Sequence, residues 1–115
     1  MKYENYLVHF NNKGYITFKL ARGYKLKEDS RLAYCKMVDP ETFNYAIIDV
    51  ASGLYVIRAT SKKKLLEAWK EKNSNPEFIE AIIRARKSDN YLKRIEELTA
   101  EKRIWRESGY LIEGR

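Results

Sequence analysis

Hydrophobic and polar residues alternate along the first sixty positions of the chain, and this pattern predicts short β-strands. Between residues 5 and 10, Tyr6 and Val8 point to one face while Leu7 and His9 point to the other, with the period of two that is typical of a strand. Four further apolar or alternating runs follow, separated by turn-forming residues. The predicted strands cover residues 5–10, 16–21, 31–38, 45–50 and 54–59.

Glycine and proline indicate where several of these strands end. Gly14 closes the first predicted hairpin, because glycine adopts the positive φ that tight turns require, and Gly23 is expected to break the second strand. A turn is predicted at Asp39–Thr42, whose proline cannot donate to a β-ladder. The hairpin of 45–50 and 54–59 has nearly continuous apolar arms, which predict central strands covered on at least one face.

The second half of the chain has apolar residues spaced by three and four, which predicts three helices. Thr60 or Ser61 can cap the first helix, which runs to about residue 72. Ser74 or Asn75 can cap the second, which runs to about residue 87 and has a proline well suited to its first position. The third helix starts within residues 88–90.

This last helix is the longest, and Gly109 is expected to end it. Tyr91, Ile95, Leu98 and Trp105 form one apolar stripe along it, with a lysine at position 102 between the last two. The stripe can pack on the sheet or form a dimer seam, and the sequence leaves both open.

Length and composition indicate one α+β domain: an antiparallel sheet of four to five strands (residues 5–59) packed against three C-terminal helices (residues 61–108). No apolar run is long enough to span a membrane, and the first residues do not resemble a signal peptide. The single cysteine, Cys35, has no partner for an internal disulfide. These features predict a cytoplasmic protein that makes no membrane contact.

The chain is strongly basic, with 23 Lys and Arg residues against 16 Asp and Glu residues, a net charge of +7 and a pI of about 9.5. Such a balance favours acidic partners, although it also serves solubility. Lysines at 62–64 lie in the first turn of a helix, where the macrodipole disfavours cations, so an anion there would explain them. The candidate binding residues are Lys62, Lys63, Lys64, Arg84, Arg86, Lys87, Lys93, Arg94, Lys102, Arg103, Arg106 and Tyr55.

Residues that perform catalysis or bind metals are sparse. His9 has no evident catalytic partner and is expected at the surface, and Cys35 lies within a predicted strand, where free cysteine behaves as a small apolar residue. One histidine and one cysteine cannot complete a zinc site. Asp49 interrupts an apolar strand, and we expect it to face solvent at a sheet edge; if buried, it would need an arginine or a backbone amide as partner. No catalytic residue, metal or cofactor is predicted.

One segment resembles part of the GIY-YIG nucleases. Gly53-Leu54-Tyr55 is similar to the first triplet of that family, and a helix follows it. The second triplet of the family is missing before that helix, and Ala68 stands where such a nuclease usually has arginine. The residues that would perform the chemistry are therefore absent, and the sequence predicts a protein that is not an enzyme.

Nine tyrosines widen the possible functions of the basic surface. Some of Tyr15, Tyr24, Tyr34 and Tyr55 are expected on a solvent-facing sheet surface, where aromatic rings among lysines can stack on unpaired bases. The same rings are also common anchors of protein interfaces.

The sequence favours a basic binding protein that engages nucleic acid, or a complex containing it, mainly through phosphate contacts. The alternative is an inhibitor of the kind found in phages and mobile elements, which binds one protein target such as a CRISPR-type nuclease. This chain is similar to such inhibitors in its size and in its lack of motifs. A small metal-dependent nuclease is the third hypothesis. The sequence does not determine the oligomeric state, and a dimer is possible.

Overall fold

The computed structural model describes residues 2–12, 15–38 and 43–109 and confirms the α+β prediction. Five strands form one antiparallel sheet in the order β1-β2-β3-β4-β5, so each strand lies beside its neighbour in sequence, and three helices follow. Gly14 and the turn at Asp39–Thr42 lie outside the described residues. The elements are β1 (Glu4–Asn12), β2 (Tyr15–Lys25), β3 (Leu32–Met37), β4 (Tyr45–Asp49), β5 (Tyr55–Ala59), α1 (Lys62–Asn73), α2 (Pro76–Arg86) and α3 (Asp89–Glu107).

The sheet curves, so that the side chains on its inner face pack against one another rather than against a helix. The backbone amide of His9 in β1 donates to the carbonyl oxygen of Gly53, in the turn between β4 and β5, at 3.0 Å. The sheet therefore curls until its first strand meets its last hairpin, as a partly closed barrel does. The strands approach one another closely on the inside of this curve, and the small side chains of three alanines in the inner cluster leave room for that approach. The buried inner cluster comprises Tyr6, Val8, Ala21, Ala33, Cys35, Met37, Ala46 and Ile48.

Helices cover parts of the outer face. Helix α1 packs on β4 and β5, where Leu65 and Trp69 contact the strand residues Ile47 and Ile57. Helix α3 packs along β1, and its Leu98 is fully buried. Of the apolar stripe of α3, Leu98 thus packs against the sheet side, while Tyr91, Ile95 and Trp105 are half-buried. Among the helices of the described residues, none combines the length and the apolar character needed to cross a membrane.

Two strand predictions need correction. Gly23 does not break β2 but lies inside it, opposite Cys35, because a Cβ at this position would lie only 1.7 Å from the carbonyl oxygen of Tyr34. Glycine is therefore required by the close approach of β3. Strand β5 ends the sheet order rather than being central. Its apolar residues are explained by α1 on one face and the barrel interior on the other.

Side-chain caps fix the start of each helix. The Ser61 hydroxyl accepts the backbone N–H of Lys64 at 3.2 Å, so Ser61 rather than Thr60 caps α1. Asn75 caps α2 by accepting from the Glu77 amide at 3.0 Å, with the proline at the first helical position. Ser88 caps α3. The start of α1 fixed in this way determines where its lysines lie.

Candidate functional site

A buried polar cluster lies where the β4–β5 turn meets α2 and α3. Asp49, expected at a solvent-exposed edge, is instead 6% exposed. Its Oδ2 accepts hydrogen bonds from the Ser52 amide (3.1 Å), the Ser52 hydroxyl (2.7 Å) and the Tyr91 hydroxyl (2.8 Å). Burial, the hydrogen bond to Asp49 and the negative charge of Asp49 together raise the pKa of Tyr91 to about 12. This carboxylate is buried because α3 covers it and supplies a donor.

Arg86 completes this cluster. Its Nε lies 3.5 Å from Oδ1 of Asp49, and its Nη2 lies 3.4 Å from Oδ2 of Asp29 in the loop between β2 and β3. Burial opposes the ionisation of Asp29, but hydrogen bonds from Arg31 and the charges of Arg86 and Arg31 outweigh it and lower the pKa of the carboxyl. Arg86, one of the candidate binding residues, thus ties α2 to the barrel with its guanidinium mostly buried.

Two residues singled out in the sequence, His9 and Cys35, lie in the protein interior, and a third, Tyr55, is partly buried. His9, expected at the surface, is 7% exposed and lies beside Phe18, with 4.8 Å between ring centroids. It is covered because α3 packs over the outer face of β1. Cys35 is fully buried, and burial raises the pKa of its thiol. Tyr55 packs against the inner cluster with its hydroxyl buried, so its ring does not lie on the outer face.

The other helical candidates differ in what surrounds them. Arg94 pairs with Glu97 at 2.7 Å on α3. Lys102 and Arg106 line a groove of about 190 Å³ at one end of the barrel, together with Lys25 and Glu4. Lysine and arginine on the helical half are thus divided between ion pairs, this groove and scattered exposed positions. The exposed candidates are Lys62, Lys63, Lys64, Arg84, Lys87, Lys93, Arg103 and Arg106.

Four tyrosines form a row of rings across the outer face of the sheet. The ring centroids of Tyr3 and Tyr24 are 5.5 Å apart, those of Tyr24 and Tyr34 are 5.0 Å apart, and those of Tyr34 and Tyr45 are 6.2 Å apart. Tyr34 is buried in the middle of the row, whereas Tyr3 is 46% exposed and the other two are half-buried. The row borders the outer cluster that contains Leu65 and Trp69 of α1, and solvent-accessible surface remains at Tyr3, Tyr24 and Tyr45.

Cations surround this row. The Nζ of Lys62 lies 5.2 Å from the ring centroid of Tyr34, within the range of a cation–π interaction. Arg22 of β2 and Lys36 of β3 stand directly opposite each other in the register, and both are exposed. Like charges in directly opposite positions of a sheet destabilise it. We call this surface the tyrosine–basic face; it comprises Tyr3, Arg22, Tyr24, Tyr34, Lys36, Tyr45 and Lys62.

The positive charge of this face is not neutralised by the described part of the protein. Within residues 2–12, 15–38 and 43–109, no carboxylate lies at ion-pair distance from Arg22, Lys36 or Lys62. The N-terminal turn of α1 adds Lys63 and Lys64, contains no acidic residue and contributes the positive end of its macrodipole. The tyrosine–basic face is therefore a site where an anion would be stabilised by several groups at once.

Most of this face was not identified from the sequence. Lys62 was among the candidates, but Tyr3, Arg22, Lys36 and Tyr45 were not. The signal lay in the strand period, because Arg22 and Tyr24 are two residues apart, as are Tyr34 and Lys36, so each pair shares one face. What the sequence does not give is the register that places the two pairs side by side.

The described residues contain no group of three or more His, Cys, Asp or Glu side chains arranged to hold a metal ion. In the buried cluster, Oδ2 of Asp49 accepts three internal hydrogen bonds, while the Nε of Arg86 lies at ion-pair distance from Oδ1 but makes no hydrogen bond among the described residues. The tyrosine–basic face offers cations and ring faces to a ligand. Comparison of the chain with protein-family models, with curated proteins and with solved structures gives no match.

Proposed function

We propose that this protein binds single-stranded nucleic acid, without catalysing a reaction on it, through the tyrosine–basic face. The observation that carries the proposal is the row of tyrosine rings flanked by Arg22, Lys36 and Lys62, none of which has a carboxylate partner among the described residues. A single strand presents phosphates and bases in alternation. Proteins that bind it commonly hold the phosphates with cations and stack the bases on aromatic rings.

Phosphates would be held by the cations of the face. Arg22 and Lys36 occupy opposite positions of the β2–β3 pair, and Nη1 of Arg22 donates to Oδ1 of Asn5 at 3.1 Å. A phosphate at this surface would gain attractive contacts from both cations. Lys62, Lys63 and Lys64 extend the positive surface along the first turn of α1. Contacts of this kind recognise the backbone and give little sequence preference.

Bases would stack on the accessible rings. Tyr3 at one end of the row is the most exposed, while Tyr34 in the middle supports its neighbours and is itself only 5% exposed. Burial and the neighbouring tyrosines raise the pKa of Tyr34 to about 12, so this ring is uncharged at neutral pH and does not repel phosphates. Bases in a duplex are already stacked on one another, so these rings favour unpaired strands.

Fluorescence anisotropy with a labelled single-stranded oligonucleotide tests the proposal. Arg22→Glu combined with Lys36→Glu removes two phosphate contacts and adds two repulsive charges, and we expect affinity to fall at least about 100-fold at low salt. Lys87→Glu combined with Lys93→Glu makes the same change in net charge at exposed positions outside the face and should lower affinity less than about fivefold.

Equal loss of affinity in these two double variants would show that only net charge matters and would refute the assignment to this face. No detectable binding of single-stranded DNA or RNA by the unaltered protein would refute nucleic acid as the ligand. It would leave the single-protein target as the better hypothesis.

Tyr3→Ala tests the stacking contribution separately from charge. One aromatic–base contact contributes roughly 1–3 kcal/mol, so we expect affinity for single strands to fall about 5- to 150-fold. Affinity for a duplex of the same length should change little, because its bases are not available to the ring. Equal losses for both forms would contradict the stacking model.

A further inference from the structure

Helix α2 has an apolar surface that the other described residues, within 2–12, 15–38 and 43–109, leave open. No residue of this 11-residue helix is fully buried. Phe78 packs against the outer cluster that contains Leu65 and Trp69, and Ile82 is half-buried, but Ile79 is 40% exposed and Ile83 is 46% exposed. These two isoleucines lie four residues apart, so they are neighbours on one side of the helix.

A groove runs beside these isoleucines. It lies between α2 and the loop that joins β2 to β3, has a volume of about 260 Å³, and is lined on its floor by Leu32 and Trp69. This volume is below the roughly 300–1,000 Å³ of sites that enclose drug-sized ligands. The groove therefore suits a few aliphatic side chains presented by a partner helix better than a small molecule.

The charges along α2 indicate which helix would fit. Glu77 and Glu80 lie in its first half, whereas Arg84 and Lys87 lie at its end, and all four are exposed. A parallel neighbour with the same sequence would place like charges together at both ends. An antiparallel neighbour would place acidic residues against basic ones at both ends.

From this pattern we infer that a second copy of the chain docks on α2 through a two-fold axis. The α2 helices of the two copies run antiparallel, with Ile79 of each packing near Ile83 of the other. The acidic end, Glu77 and Glu80, then faces the basic end, Arg84 and Lys87, of the second copy. Residues of the tyrosine–basic face are not part of this contact.

The dimer forms at high protein concentration. One helix of 11 residues with its flanking groove provides less area than the roughly 800 Å² per partner of a standard interface. The net charge of +7 on each copy also opposes association. We expect a dissociation constant on the order of 10–100 μM.

Sedimentation velocity of the full chain between about 5 and 500 μM tests this inference. The unaltered protein should shift from monomer to dimer over this range. Ile83→Glu buries a carboxylate in the contact and should keep the protein monomeric throughout. Ile104→Glu alters an isoleucine of α3 that is 56% exposed, and should dimerise like the unaltered protein. A monomer at all concentrations, or dimers of both variants, would overturn the inference.

Charge exchange tests the antiparallel arrangement itself. Glu77→Lys with Glu80→Lys leaves α2 with basic charged residues only, and Arg84→Glu with Lys87→Glu makes its exposed charges acidic while keeping Arg86, which pairs with Asp49 and Asp29. Neither variant should dimerise alone, but an equimolar mixture should form heterodimers at least tenfold more tightly than either variant self-associates. If both variants dimerise alone as well as the unaltered protein does, the pairing of α2 helices is wrong. Circular dichroism of each variant serves to verify its fold.

Discussion

At the scale of single residues, the polar groups of the interior differ in the number of hydrogen-bond and ion-pair partners that they have. Asp49 has three hydrogen-bond donors and an arginine, whereas Nε2 of His9 is buried without a hydrogen-bond partner among the described residues. Strand alternation placed His9 correctly on the face opposite Tyr6 and Val8. It could not reveal its burial, because the element that covers it, α3, lies more than 80 positions later in the chain.

His9 should make stability depend on pH. Burial lowers the pKa of the imidazole and outweighs the backbone groups of Arg94 and Ser52 and the negative charge of Glu97, which act to raise it, so the folded state favours the neutral ring. This contribution is complete above the ordinary pKa near 6.5 and is lost as pH falls through the lowered folded-state value.

We therefore expect the free energy of unfolding, measured in urea, to decrease between about pH 7 and pH 5. In His9→Phe the decrease over the same interval should be smaller, because the titrating group is gone. Identical slopes for the two proteins would show that His9 does not titrate differently on folding. Carboxyl groups with ordinary pKa values titrate mainly below about pH 5, so they contribute little to the change in stability measured in this interval.

Arg86 should be structural. Arg86→Met leaves the carboxylate of Asp49 buried without its ion-pair partner, and we expect a loss of about 3–5 kcal/mol in the free energy of unfolding. Arg84→Met, two residues earlier on the same helix but exposed, should change stability by less than about 0.5 kcal/mol. Chemical denaturation at low protein concentration measures both. Similar values for the two variants would mean that the Asp49–Arg86 pair is energetically unimportant.

At the scale of elements, local sequence determined most of what the structure contains. The capping residues Ser61, Asn75 and Ser88 and the alternating faces of β1 and β3 all follow from rules that act over a few residues. Gly23 was misread, because the reason for a glycine there is a carbonyl of the neighbouring strand. A contact of this kind with a neighbouring strand cannot be recognised from the few residues around Gly23 in the sequence.

Gly23→Ala should therefore disrupt the sheet. The added methyl group would meet backbone atoms of β3 rather than a side chain that can move aside, and we expect a cost of about 3 kcal/mol or more. Gly109→Ala is a useful contrast, because its φ is +80° but no atom lies within 4 Å of the added Cβ. There we expect about 1–2 kcal/mol, from backbone conformation alone. Comparable losses by thermal or urea unfolding would contradict this interpretation of Gly23.

At the scale of the whole molecule, charge and aromatic residues are distributed differently from the sequence-based expectation. The helical half was expected to provide the binding surface, yet Arg86 and Arg94 there are engaged in ion pairs. Tyrosines and unneutralised cations meet instead on the open middle of the sheet. That arrangement depends on the β2–β3 register and on the position of α1, which are three-dimensional properties. Composition favours an anionic ligand, whereas the place we propose for it follows only from the three-dimensional arrangement.

Salt dependence is the prediction that belongs to the molecule as a whole. If Arg22, Lys36 and the three lysines of α1 each contact a phosphate of a single strand, the slope of log affinity against log salt should be about −3.5. Affinity should then fall about 100-fold between roughly 50 and 200 mM salt. Anisotropy titrations at several salt concentrations give this slope. A slope near zero would contradict binding through phosphate contacts.

The burial of Cys35 gives the protein an internal reporter of its own opening. It is the single thiol of the chain, it is fully buried among the small residues inside the barrel, and its raised pKa disfavours the reactive thiolate. Alkylating reagents can reach this thiol only when β3, the strand that contains it, separates from β2 or β4. The rate of labelling under native conditions thus measures how often the barrel opens, and it should increase in proportion to the opening equilibrium as denaturant is added.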